Sequence, residues 1–123
     1  MQPIIFVALG GALGSAARYA VSQFISGHTA STFPFSTMAV NIAGCLLIGL
    51  VYGLSARHGF LSDNMKLLLT TGFCGGFTTF STFCNEGLSL MRADNITGAA
   101  LYAGLSLFLG LLAVHAGSLL AKM

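Results

Sequence analysis

The stretch from Gly72 to Phe83 reads GFCGGFTTFSTF and sets Thr78, Thr79, Ser81 and Thr82 among Phe77, Phe80 and Phe83. On a helix, residues three and four apart are neighbours, so Thr79, Thr82, Phe83 and Glu86 share one face with Phe80 beside them. Hydroxyls, ring edges and one carboxylate then line a single strip inside an otherwise apolar run. The Gly75-Gly76 pair just ahead predicts an interrupted helix, because glycine is a poor helix former. A break within a membrane is tolerated only where the freed backbone groups are buried in protein or line a watery or ionic site. Carbonyls freed between Gly75 and Thr78 suit a cation. With no Asp or Glu in the break, neutral oxygens fit a monovalent ion better than a divalent one.

Other polar side chains also interrupt apolar sequence, and an ionisable group in such a place points to function by default. Arg18 lies about seven residues, ~10 Å, from the expected end of its span. It either snorkels to the interface or raises the positive potential at a pore mouth. Asn41 has Thr37 one turn earlier on the same face, and its amide can cross-link helices or donate to a ligand. Tyr102 and Ser106 repeat the polar spacing in the last apolar run. Glu86 either lies near the water interface and orients a hydroxyl such as Thr82, or is protonated.

These residues must be positioned by membrane-spanning helices. Of the 123 residues, 55% are hydrophobic and only 7% charged, and mean hydropathy is +0.87. A soluble domain carries roughly 25% charged residues. Polar breaks at 27–32, 57–64 and 92–95 leave four apolar spans, about 3–25, 33–55, 65–91 and 96–120. Each reaches the ~20 residues that cross a bilayer as a helix. The expectation is one all-α integral membrane domain of four transmembrane helices, the third broken near Gly75-Gly76. Alternating ten-residue strands of a barrel are absent from the sequence. Asp63-Asn64 and Asp94-Asn95 punctuate the starts of the last two spans. The first span lacks the basic n-region of a secretory signal.

Small residues four apart, Gly10 with Gly14, Gly49 with Gly53 and Ala99 with Ala103, predict close helix contacts. Cys45, Cys74 and Cys84 show no metal or disulfide spacing and read as free, buried thiols. The five basic residues are scattered and the net charge is +2, so no nucleic-acid surface is expected. One membrane side holds Arg57, Lys66 and Lys122. The other holds Arg92, joined by Arg18 if it snorkels, which is too even to fix one orientation.

The blocks GGALGSAARY (10–19), TMAVNIAGCLLIG (37–49) and GFCGGFTTFSTF (72–83) resemble the three signature blocks of the Fluc, or CrcB, fluoride channel family. The resemblance covers essentially the whole chain. It implies a passive fluoride exporter of the inner (plasma) membrane that relieves fluoride toxicity. It further implies an antiparallel, dual-topology dimer with a second copy of the chain, two fluoride pores and a structural Na+ at the centre. By that resemblance Gly75 and Thr78 give backbone carbonyls to Na+, Phe80 and Phe83 are the pore rings and Asn41 is the pore amide. Thr37, Ser81, Thr82, Glu86, Tyr102 and Ser106 form a polar track, and Arg18 is a vestibule charge.

Fluoride is small and tightly hydrated, so a narrow path must replace its water. A ring edge contributes only ~0.5–1.5 kcal/mol to such a contact, whereas a hydrogen bond to a charged partner gives about 1.5–3 kcal/mol. Amide and hydroxyl donors must therefore carry much of the exchange, while the rings give shape and dryness. The competing expectation is a small dual-topology, proton-coupled multidrug exporter, which needs a deep titrating carboxylate. The first span has none. An enzyme is not expected, because no nucleophile, base and orienter stand together.

Overall fold

The computed structural model describes residues 2–28, 33–59 and 61–122. Residues 29–32 of the first polar break and residue 60 of the second lie outside the described residues. The described elements are all helical: α1 Gln2–His28, α2 Phe35–His58, α3 Asp63–Leu67, a π-helical stretch Leu68–Cys74, α4 Gly75–Phe77, α5 Ser81–Arg92 and α6 Ile96–Leu120. Four spans are long and apolar enough to cross a membrane: Gln2–His28, Phe35–Ala56, Asp63–Arg92 and Ile96–Leu120. The third is composite, running from α3 to α5 around an interruption.

Local chemistry explains the ends. Gly59 closes α2 in the left-handed region, at φ 64°, and its N–H donates to the Ser55 carbonyl. The N-cap of α3 is Ser62, whose side chain accepts from the Met65 N–H, so Asp63 sits in the first turn, where a negative charge is favoured. Asn95 caps α6 by accepting from the Gly98 N–H.

Two close helix pairs make the frame. In the first, α1 lies on the segment Leu68–Phe77, and a Cβ on Gly10 would collide with the Leu68 carbonyl and one on Gly14 with the Phe73 carbonyl. In the second, α2 crosses α6, with Gly49 against the Val114 carbonyl and Gly117 against the Leu46 carbonyl. Backbones this close gain packing that apolar lipid does not compete away. Both predicted glycine pairs thus serve helix contacts. The alanine pair does not: Ala99 packs in the core, while Ala103 is exposed.

The core proper is small, with Met38, Leu90 and Tyr102 buried and Phe33, Ile42, Phe83 and Ala99 packed around them. Large apolar side chains such as Ile4, Leu107 and Phe108 point outward. Such a surface belongs in lipid or against protein. The three cysteines are free. Cys74 is buried as expected and Cys45 half-buried, but Cys84 is exposed.

Candidate functional site

The interruption of the third span does not fall at Gly75-Gly76. Gly75 has helical angles, φ −63° and ψ −38°, and α4 continues through Phe77. Thr78 is extended, with φ −90° and ψ 160°, and α5 resumes only at Ser81, so the break is Thr78–Phe80. Glycine costs a helix only about 1 kcal/mol, and close packing offsets it here. A Cβ on Gly76 would stand 2.6 Å from the Gly11 carbonyl and 3.0 Å from Ser15 Oγ. Gly76 is there for contact with α1, while Gly75 faces the cleft.

What ends the helix is the partnering of its backbone. The Thr78 N–H and hydroxyl both donate to the Cys74 carbonyl, at 3.0 and 2.8 Å. Asn41, on α2, then clasps the next residue from the side. Its Nδ2 donates to the Thr79 carbonyl at 3.0 Å, and the Thr79 N–H donates to its Oδ1 at 2.8 Å. Thr79 Oγ1 accepts from the Thr82 N–H at 3.3 Å, in the manner of a cap, and starts α5. Gly44, three residues after Asn41, lets α2 approach this closely, since a Cβ there would collide with the Thr78 side chain. The Asn41 amide has two N–H groups, and Thr79 engages one. The second has no partner among the described residues.

The break thus separates two helix ends of opposite polarity. The last carbonyls before Thr78 carry the negative end of one half-helix, and the first N–H groups of α5 carry the positive end of the other. Arg18 joins the negative end, its Nε donating to the Gly76 carbonyl at 3.0 Å. The structure corrects the alternative that Arg18 snorkels. It stands ten residues before the last residue of α1, about 15 Å of helix, and turns inward instead. The acidic residues lie elsewhere, Asp63 and Asp94 near helix ends and Glu86 against Tyr102.

An open-sided cleft of about 540 Å³ runs along the break, with Asn41, Gly75, Thr78, Phe80, Phe83 and Ser106 in its wall. Phe80 is 77% exposed, and its ring centroid lies 6.0 Å from that of Phe83, tilted by 39°. Phe83 continues to Tyr102 at 5.0 Å. Tyr102 is fully buried, its hydroxyl donates to Glu86 Oε1 at 3.2 Å, and Thr37 is its other hydrogen-bonding neighbour. Glu86 therefore orients a hydroxyl, though that of Tyr102 rather than Thr82. Ser106, one turn beyond Tyr102, buries its Oγ with no partner among the described residues.

The sequence-named residues are brought together unequally. The six in the cleft wall form one group, and Thr37, Tyr102 and Glu86 form a hydrogen-bonded line behind Phe83. Ser81 is exposed and Thr82 half-buried at the first turn of α5, outside the cleft wall. Thr79 does not share a helical face with Thr82 and Phe83, because it lies in the break. Its role in the clasp was not legible, although an unpartnered mid-span amide signals that a partner exists. Thr70 and Thr71 also line the cleft and were missed.

As a cation site the donor set is consistent. Among the described residues no group of three His, Cys, Asp or Glu could hold a metal ion. Gly75 and Thr78 sit in the cleft wall at the negative end of a half-helix, where neutral carbonyls suit a weakly polarising monovalent ion.

The chain as a whole is similar in sequence to known proteins. The sequence model of the family described as CrcB-like protein, Camphor Resistance (CrcB), matches residues 5–118. The chain is 47% identical to the fluoride-specific ion channel FluC of Flavobacterium psychrophilum, over 99% of this chain and 98% of that protein. It is 45% identical to the FluC protein of Methylobacillus flagellatus, over 100% of this chain and 97% of that one. With the FluC protein of Bacteroides fragilis the identity is 46%, over 99% and 98%.

Proposed function

Since the chain belongs to the CrcB family, we propose that it is a fluoride-selective channel, passing F− down its gradient and so relieving fluoride toxicity. It is a multi-pass membrane protein with four apolar spans. Its relatives are bacterial channels rather than enzymes, which puts it in the plasma membrane. One observation carries the reading from family to mechanism. A mid-span break presents two neighbouring phenyl rings, an amide with a free N–H and a helix N-terminus to one cleft.

Each part has a task suited to a small, strongly hydrated anion. The positive edges of Phe80 and Phe83 shape a dry, narrow passage in which larger halides lose water without replacement. The free Nδ2 hydrogen of Asn41 and the Ser106 hydroxyl offer exchangeable donors. The positive end of α5 points at the same region. Weak sites in series let the ion leave as readily as it enters. Thr37, Tyr102 and Glu86 hold Phe83 from behind, and Ser81 and Thr82 line the approach at the start of α5.

The pore is completed by a second copy of the chain in antiparallel orientation. Two features support this: the open side of the cleft and the two-carbonyl set of Gly75 and Thr78. Two carbonyls are half a coordination shell, and a two-fold partner doubles them. Na+ bound there would supply a fixed positive charge that lowers the cost of an anion in a low-dielectric interior.

The test is reconstitution in liposomes with efflux followed by a fluoride electrode. Rapid passive efflux of fluoride with chloride retained is expected, whether or not a proton gradient is imposed. Strict dependence on the proton gradient would instead make the protein a coupled exporter, and no efflux would remove the channel reading.

A further inference from the structure

We infer that Arg18 acts as a resident competitor at the helix end proposed to hold the cation, and so sets how tightly Na+ binds there. The inference rests on the assignment of Gly75 and Thr78 as cation ligands. Three observations support it. The Arg18 Nε bond to the Gly76 carbonyl joins residues 58 apart in sequence and is partly buried, so the guanidinium charge is held close to the helix end. Gly76 lies directly after Gly75 and two residues before Thr78, between the two proposed ligands. The three carboxylates are placed elsewhere, so the helix end itself serves as the counter-charge of Arg18.

Two consequences follow with the same sign. The guanidinium occupies the Gly76 carbonyl and withdraws it from the oxygens a metal ion could use. Its unit charge also repels a second cation a few residues away, across a partly buried region of intermediate dielectric. Arg18 thereby keeps the half-helix capped in each chain before any metal binds, and restricts the coordinating set to its neighbours. Glutamine at this position would retain a donor for the Gly76 carbonyl and remove the charge. The affinity for Na+ should then rise by a factor on the order of ten or more, the size expected for one unit charge within several ångströms at an intermediate dielectric.

The experiment measures thermal unfolding of the purified full chain in detergent over a series of Na+ concentrations, with ionic strength held constant by N-methyl-D-glucamine chloride. Stabilisation by a ligand grows as its concentration exceeds the dissociation constant, so the midpoint of the Tm rise reports affinity without any flux measurement. R18Q is expected to move that midpoint at least roughly tenfold lower. R18K, which keeps the charge, is expected to stay within about threefold of the unmodified protein. An unchanged or higher midpoint for R18Q overturns the inference while leaving the cation site in place. A Tm of the unmodified chain that ignores Na+ altogether overturns both the site and the inference. If R18Q does not fold at any Na+ concentration, R18K decides. A midpoint near that of the unmodified chain supports control by charge, and a shift beyond threefold means that the geometry of the bond governs instead.

Discussion

Replacing Asn41 by Ala should damage the protein twice, through its backbone and through its ion path. The side chain makes two bonds to one residue, accepting from the Thr79 N–H at 2.8 Å and donating to the Thr79 carbonyl at 3.0 Å. Alanine strands both groups, and a buried polar group left unpaired costs about 1–3 kcal/mol. Two such groups give about 2–6 kcal/mol, and water in the open cleft should hold the loss to the lower half, about 2–4 kcal/mol. That is a large part of the 5–15 kcal/mol typical of a folded protein. N41A is therefore expected to lower the unfolding temperature, to speed hydrogen–deuterium exchange of the peptide containing Thr79, and to abolish fluoride efflux. N41D separates the two roles. Its carboxylate can still accept from the Thr79 N–H, but it faces the Thr79 carbonyl and a passing anion with negative charge, so efflux should fall further than stability. If N41A loses efflux while its unfolding temperature and Thr79 exchange match those of the unmodified chain, the clasp is not structural and Asn41 serves only as an ion ligand.

Other expectations concern packing, rings and caps. G49A and G14A place a methyl group against the Val114 and Phe73 carbonyls, and each should cost about 1–3 kcal/mol by overpacking. G104A meets nothing within 4 Å and should be neutral or stabilising by up to about 1 kcal/mol, read as monodispersity and Tm in detergent. F80I and F83I should both cripple efflux without preventing assembly. Only F83I should also lower stability measurably, because Phe83 packs on Tyr102 whereas Phe80 is largely exposed; unchanged flux in both would remove the rings from the mechanism. T79V deletes the Oγ1 contact to Thr82 and keeps the backbone clasp, so a loss of about 0.5–1 kcal/mol with efflux largely retained is expected from unfolding and flux assays in parallel.

Much of the frame is legible in the amino-acid sequence because membrane solvation is a blunt constraint. Twenty-odd residues without charge can only be a span, and Gly10 with Gly14 or Gly49 with Gly53 can only profit from close backbones. The site is legible by residue type and less so by geometry. Gly75-Gly76 reads as a break because helix propensity argues from the isolated chain, and tertiary contact with Gly11 and Ser15 overrides it. Thr79 reads as one more hydroxyl on a face, since nothing local shows that a side chain 38 positions earlier takes its peptide group. Arg18 reads as an interfacial anchor or a vestibule charge for the same reason, its partner being a carbonyl 58 residues away. Backbone acceptors leave no mark in composition or periodicity.

The π-helical turn from Leu68 to Cys74 leaves a written trace of its own. An ordinary helix returns to the same face every 3.6 residues, whereas bonds from i to i+5 widen the turn. The cleft wall accordingly takes its residues from this span at intervals of four: Thr70 and Thr71, Cys74 and Gly75, Thr78 and Thr79. The opposite side repeats at the same interval, with Gly72 and Gly76 against α1 and Phe73 stacked on Phe77 at 5.7 Å. The string TTGF CGGF TT is thus a small tandem repeat, two tetrads and the start of a third, in which one half of each unit faces the cleft and the other half faces the scaffold.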